Sequence, residues 1–332
     1  GEYSDSGFRF GSGEFYRHAH LADLDGDGDL DIFLATFGLA RGPNEIWFNT
    51  TNADTGAGPG EEGLYLGQEP PGLEMEVFAP GIVSIEEGKE YNITISPDLQ
   101  EIFFTRRTPR GGNDRLWSSR VQDGKLTTPE PAPFGYDSLE TDACFTPDGQ
   151  RLYFNSWRPL PGEEMPSRVH NVWTVDRAED GWGEPLFLGS PLNDYGPVYF
   201  SFAADGTLYF TRSSPREIWF AEPEGGLYLE AQSLPCGVND LREVAHPAIA
   251  PDEGYIVVDA REVRDGRVLG TYLHVSFRRP DGSWTQAVSL RDALHASDSD
   301  VHAMPWITPD GKYLFFEQYE KATDKADIYW VS

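Results

Sequence analysis

Five times along the chain a short apolar run stops at a polar turn and a second run of aromatic and β-branched residues follows it. The phrases are "ISPDLQEIFFTRR" from Ile95, "FTPDGQRLYFNSWR" from Phe145, "FAADGTLYFTRS" from Phe202, "IAPDEGYIVVDARE" from Ile249 and "ITPDGKYLFFEQYE" from Ile307. Pro-Asp-Gly and its variants favour a tight turn, and the flanking residues suit strands, so each phrase reads as a β-hairpin. With Asp98, Asp148, Asp205, Asp252 and Asp310 at a common position, the period is roughly 47 to 58 residues, which suits radially repeated sheets.

A third strand follows each hairpin: "DRLWSSR", "HNVWTVDR", "REIWFAE", "GTYLHVSF" and "ADIYWVS". "GKLTTPEPAPFG", "GWGEPLFLGS", "GLYLEAQSLP" and "GSWTQAVSL" supply a fourth to most units. The stretch "LADLDGDGDLDIFLATFG" aligns with the hairpins, "NEIWFNT" with the third strands and "LEMEVFAPG" with the fourth, which makes it unit one of six. Four antiparallel strands per unit predict an all-β, six-bladed β-propeller in a single domain covering 1–332. The units are 20–81 (with an insertion at 51–72 rich in Gly, Pro and acidic residues), 82–135, 136–193, 194–239, 240–297 and 298–332. The last lacks a fourth strand, and "YSDSGFRF" at 3–10 has no unit of its own. Residues 1–19 are therefore expected to supply the closing outer strand.

Residues 20–49, through Asp23, Asp25, Asp27, Asp29, Asp31 and "NEIWFN", resemble the FG-GAP or VCBS-type calcium-binding repeats of integrin α-subunits and bacterial surface proteins. Residues 90–332, through "SPD", "TPDGQRLYF", "TPDGKYLFF" and "DIYWVS", look like TolB-type, WD-like propeller repeats. Those repeats imply architecture; they serve binding proteins, peptidase gating domains and pectate-related lyases alike. Together with the acidic loop they imply an exported protein, extracellular or periplasmic, in a bacterium.

The formal net charge of -29 sets this chain against nucleic acid and anionic membranes as partners. No run of about 18 apolar residues is present. Cys144 and Cys236 form no CxxC pattern; a disulfide requires the fold to bring them together, and two buried thiols are the alternative. Nucleophile-elbow, zincin, phosphate-loop and dinucleotide motifs are all missing.

Two sets of residues carry candidate chemistry. Calcium takes six to eight oxygens, and the spacing D-x-D-G-D-G-D-x-D supplies carboxylates on a chain that Gly26 and Gly28 let fold tightly. Asp23, Asp25, Asp27, Asp29 and Asp31 are the expected ligands, with the ion holding a turn rather than catalysing. The second set lies where inner strands begin and second strands end: Asp142, Arg107, Arg158, Arg212, Arg261, His246 and His302, at the mouth of the channel. Such a mixture suits a protein or carbohydrate ligand. It equally suits ion pairs that solvate the rim. A second, transition-metal site from His18, His20, His246, His302 and Gln318 would resemble that of the TolB-type oligogalacturonate lyases. Three functions follow: a monomeric binding module for a protein or glycan, a metal-dependent lyase or hydrolase acting on acidic saccharides, or a structural domain of a larger surface protein. Elemental mass spectrometry of protein purified without added metal is expected to find about one calcium per chain, lost on chelation; protein free of calcium would remove the loop's assignment.

Overall fold

The structure, a computed structural model, describes residues 64–332 apart from 108–112, 229, 236, 265 and 299, together with the backbone of four strands within residues 3–49. Strands dominate, and the single helical element among the described residues is a 3-10 turn at Leu192–Tyr195.

The five hairpin phrases become five antiparallel sheets of at least four strands, whose inner strands are Glu90–Ile95, Glu140–Phe145, Pro197–Phe202, Ala245–Ile249 and Asp300–Ile307. Each inner strand neighbours the next, and the fifth returns to the first. Between successive sheets lies an apolar seam. Phe103, Phe134 and Phe154 join the first blade to the second; Tyr153, Phe200 and Phe210 join the second to the third. Tyr209, Ile256 and Val258 fill the third seam, and Leu273, Val275 and Phe316 the fourth. The fifth, of Phe78, Ile93, Phe104, Phe315 and Trp330, joins the last blade back to the first.

The protein is therefore a five-bladed β-propeller, and the expected six-bladed ring is corrected. The first predicted unit does make strands, at Tyr16–Ala22, Asp31–Thr36 and Glu45–Asn49. They form a sheet of their own, whose fourth strand is Tyr3–Asp5, with Tyr3 opposite Asn49. The N-terminal segment thus completes its own sheet and does not close the ring. Closure comes from Glu76–Val77, which pairs with Trp330 and Tyr329 of the last blade. Two paired residues are few, but the next residue anchors them. Phe78 is fully buried, its ring centre 5.0 Å from that of Phe315 and 5.4 Å from that of Trp330, and its N–H donates to the Ile328 carbonyl at 2.8 Å. Segment 73–81, read from sequence as the outer strand of unit one, is captured by the opposite end of the chain because that edge offers an aromatic socket.

Two outcomes are expected. Phe78→Ala should lower stability by about 3–5 kcal/mol in chemical denaturation, the cost of emptying an aromatic site in a core. A chain beginning at residue 64 should retain the far-ultraviolet spectrum and cooperative unfolding of the ring; a chain that fails to fold without residues 1–63 would contradict the five-bladed closure.

Candidate active site at the channel mouth

Every inner strand breaks register once with its neighbour, between Tyr91 and Ile93, Thr141 and Cys144, Val198 and Phe200, Ala245 and Ala248, and Ala303 and Trp306. In each break one residue takes a left-handed conformation: Asn92 (φ 46°), Asp142 (60°), Tyr199 (53°), His246 (50°) and Met304 (53°). These are β-bulges, which re-aim a side chain at the cost of a ladder bond. Around the axis the repetition produces a ring of five aimed side chains.

Opposite the residue just before each bulge residue, the second strand carries a polar side chain: Thr105, Asn155, Thr211, Asp259 and Glu317. Several of them bind the next blade. Thr211 Oγ1 accepts the His246 N–H at 2.8 Å, Asp259 Oδ2 accepts the Met304 N–H at 3.0 Å, and Asn155 Nδ2 donates to the Pro197 carbonyl at 3.1 Å.

Tyr199 closes the axis. It is buried, its hydroxyl donates to the Pro305 carbonyl at 2.7 Å, and its ring lies edge-on to His246 at 5.0 Å. The channel is thereby a cup with a floor. Beyond the floor, at the hairpin-turn end, lies a cavity of about 130 Å³ lined by residues such as Phe145, Trp306, Pro97 and Pro147. Its one ionisable side chain is Cys144, a free thiol that burial pushes up to about 12. Acid–base chemistry is confined to the other side.

On that side His246 Nδ1 meets Asp259 Oδ2 at 2.5 Å, and the His246 side chain keeps 20% exposure. Burial alone would depress the imidazolium; the Asp259 carboxylate outweighs it and raises the pKa. Burial also raises Asp142, although the His246 charge opposes it. Glu317 is raised to about 7, first by burial, with His246 pulling down and Asp259 pushing up. It nevertheless keeps partial exposure and makes no hydrogen bond or ion pair among the described residues. Raised pKa alone does not single it out. Glu90 is also raised to about 7 by burial, but it is fully buried and bound to Arg106 Nε at 2.7 Å.

Of the seven mouth candidates the structure brings Asp142 and His246 together and sets Arg107 within electrostatic reach of Glu317. Arg107 is held by Asp114 through bonds of 2.7 and 2.9 Å. Arg158 is buried in its own blade by Glu140 and the Phe134 carbonyl, away from any ligand, and Arg261 pairs with Glu243 at 2.8 Å. His302 is fully buried, bonded to Gln318 at 3.1 Å and packed on Phe316 at 5.0 Å, so burial lowers its pKa. Arg212 lies over Trp219 at 4.8 Å. Among the described residues no group of three His, Cys, Asp or Glu side chains is placed to hold a metal. Asp23, Asp25, Asp27 and Asp29, His18 and His20 as side chains, and Cys236 lie outside the described residues; Asp31 opens a strand opposite Ala22.

Sequence reasoning missed Tyr199, Asp259 and Glu317. The signal was present: aligned on their turns, the second strands read "FFT", "YFN", "YFT", "VVD" and "FFE", each with a polar residue ending an apolar pair.

No family model matches the chain, and no curated protein does. The FG-GAP and TolB-type resemblances therefore rest on their motifs. Among solved structures the chain is similar to an oligogalacturonate lyase from Vibrio parahaemolyticus, 14% identical, TM-score 0.41, covering 99% of this chain and 95% of that one. It is similar to an α-L-arabinofuranosidase from Lactobacillus brevis, 13% identical, TM-score 0.45, covering 74% and 92%. The β-propeller domain of a trilobed protease from Pyrococcus furiosus is 12% identical, TM-score 0.36, covering 95% and 82%. Likeness at this level concerns the fold alone.

Asp259→Asn is expected to lower the His246 pKa, as the imidazolium loses its counter-charge while the amide oxygen still accepts the Met304 N–H. Nuclear magnetic resonance titration of the imidazole reads this directly; an unchanged pKa would separate the two residues.

Proposed function

We propose that the cup is the acid–base site of an enzyme that cleaves a glycan, a hydrolase or lyase, with Glu317 as the proton-transfer group and His246 held beside it by Asp259. The observation that carries this reading is the freedom of Glu317. Its counterparts Asn155, Thr211 and Asp259 are engaged in holding the next blade and Thr105 is enclosed, whereas its carboxyl is partly exposed, lies within electrostatic reach of His246 and makes no hydrogen bond among the described residues. A group near pH 7 can give a proton to a leaving oxygen and take one back at neutral pH. The His246 imidazolium adds an N–H donor and positive charge where negative charge would develop. Arg107, Asp114 and Tyr319 lie within electrostatic reach of Glu317 and suit a hydroxyl-rich ligand.

A binding module is the second reading, favoured by how many floor residues, Tyr199 and Thr211 among them, serve the ring itself. Calcium on Asp23, Asp25, Asp27, Asp29 and Asp31, an exported setting and a monomeric chain belong to the proposal on sequence grounds.

On a panel of neutral and uronic oligosaccharides the protein should release new chain ends, and Glu317→Gln should cut kcat by about 100-fold or more with KM little changed. Binding without turnover on the whole panel, or full turnover by the variant, would favour the module. Glu317 also makes stability depend on pH. Its folded pKa of about 7 exceeds the unfolded 4.5, so the folded state holds the extra proton between these values and stability falls as pH rises through them. Glu317→Gln should remove that slope and be more stable than the parent at pH 8 by roughly 1–3 kcal/mol in urea melts.

A further inference from the structure

The first three blades repeat an arginine stacked on a tryptophan. Arg106 lies 4.8 Å from the Trp117 ring centre, Arg158 5.2 Å from that of Trp173 and Arg212 4.8 Å from that of Trp219. In the first two, the residue that starts the inner strand supplies the counter-ion: Glu90 to Arg106 at 2.7 Å and Glu140 to Arg158 Nε at 3.2 Å. Both carboxylates are fully enclosed. In the third blade that position is Pro197, directly opposite Arg212. Arg212 consequently makes no hydrogen bond or ion pair among the described residues, and it is half-buried where Arg106 and Arg158 are buried. The nearest carboxylate along its own hairpin, Glu217, accepts the Trp219 Nε1–H at 2.9 Å instead.

An orphaned guanidinium is unexpected in this chain, where acidic residues outnumber basic ones 55 to 26. Arg107, Arg115, Arg151, Arg261 and Arg278 each have a carboxylate partner. The orphan also stands beside the cup. Across the same hairpin turn, opposite Ser213, Arg216 is exposed and likewise makes no ion pair among the described residues, and its positive charge acts on His246. Tyr195, whose ring centre lies 5.4 Å from that of Trp219, adds an apolar wall.

We propose that Arg212, fixed in orientation by Trp219, is a subsite for an anionic substituent, a carboxylate or a sulfate, on the glycan that occupies the mouth. This rests on the reading of the mouth as a glycan site. A planar guanidinium held flat on an indole presents its edge for paired hydrogen bonds to such a group, and Pro197 leaves open the place that a glutamate fills in the first two blades.

The test is isothermal titration of the whole protein with trigalacturonate and its methyl ester, and with a sulfated galactose oligomer and its desulfated form. The anionic member of at least one pair should bind about tenfold or more tightly than its neutral partner. Which pair shows the preference identifies the anion. Arg212→Gln should abolish the preference while leaving neutral binding unchanged, and Arg212→Lys should restore part of it. Because Arg212→Gln could disturb the blade, Pro197→Glu provides the second variant. It installs the counter-ion found in the first two blades and should also abolish the preference, with an unfolding temperature at least equal to the parent's. Equal binding of acid and ester, a preference that survives Arg212→Gln, or no binding of any probe would overturn the subsite. Glu317-dependent cleavage of a neutral saccharide without anion preference would sink the subsite and leave the acid–base reading intact. An Arg212-dependent preference without turnover would do the reverse.

Discussion

The left-handed residue in each inner strand is the constraint on which the site depends. A residue other than glycine in that conformation costs of order 1–3 kcal/mol, so five of them require compensation. It comes partly from the neighbouring blade, where Thr211 and Asp259 accept the bulge amides of His246 and Met304. Blade packing and the aim of the axial side chains are thus one interaction seen twice. Were a bulge to flatten, the alternation beyond it would shift by one residue, and apolar side chains of a seam would turn to the wrong face.

This coupling explains the division of labour among the polar residues. Asn155, Thr211 and Asp259 are spent on the next blade, and Asp259 serves both the Met304 amide and the His246 ring. On the proposed reading, chemistry falls to exceptions to the repeat. Glu317 is one, with a partly exposed carboxyl that makes no hydrogen bond among the described residues at a position where Asn155, Thr211 and Asp259 serve the backbone. Arg212 is another, by losing the partner that its counterparts keep. Departures from fivefold likeness are therefore better guides to function here than the repeated features themselves.

The hairpins were legible because their turn chemistry is local. Asp148 illustrates this, accepting the Gln150 N–H at 3.0 Å and the Thr146 hydroxyl at 2.7 Å within a few residues of chain. The number of blades was not legible, since "LADLDGDGDLDIFLATFG" carries the same hairpin pattern, while membership of the ring depends on which faces form seams. Nothing in "LEMEVFAPG" alone indicates that Phe78 belongs between Phe315 and Trp330. At the site, the sequence pointed to the strand ends. Arg158 and His302 proved enclosed because alternation sends their side chains into the blade rather than along the axis, and the channel-facing positions lay one or two residues deeper.

Closure of the ring by Glu76–Val77 also sets an order of events. On a ribosome, the strand that completes the last blade emerges about 250 residues before its partners Tyr329 and Trp330. Until then the early segment exposes Phe78, and the first blade lacks the aromatic wall of its seam. Successive blades can stack as they are made, in the manner of a linear array. The floor of the cup can set only once the fifth blade has been made, because Tyr199 of the third blade reaches to Pro305 of the fifth. His246, Asp259 and Glu317 all lie in the last third of these 332 residues, so the axial groups and the floor beneath them are assembled together, late, in a single step.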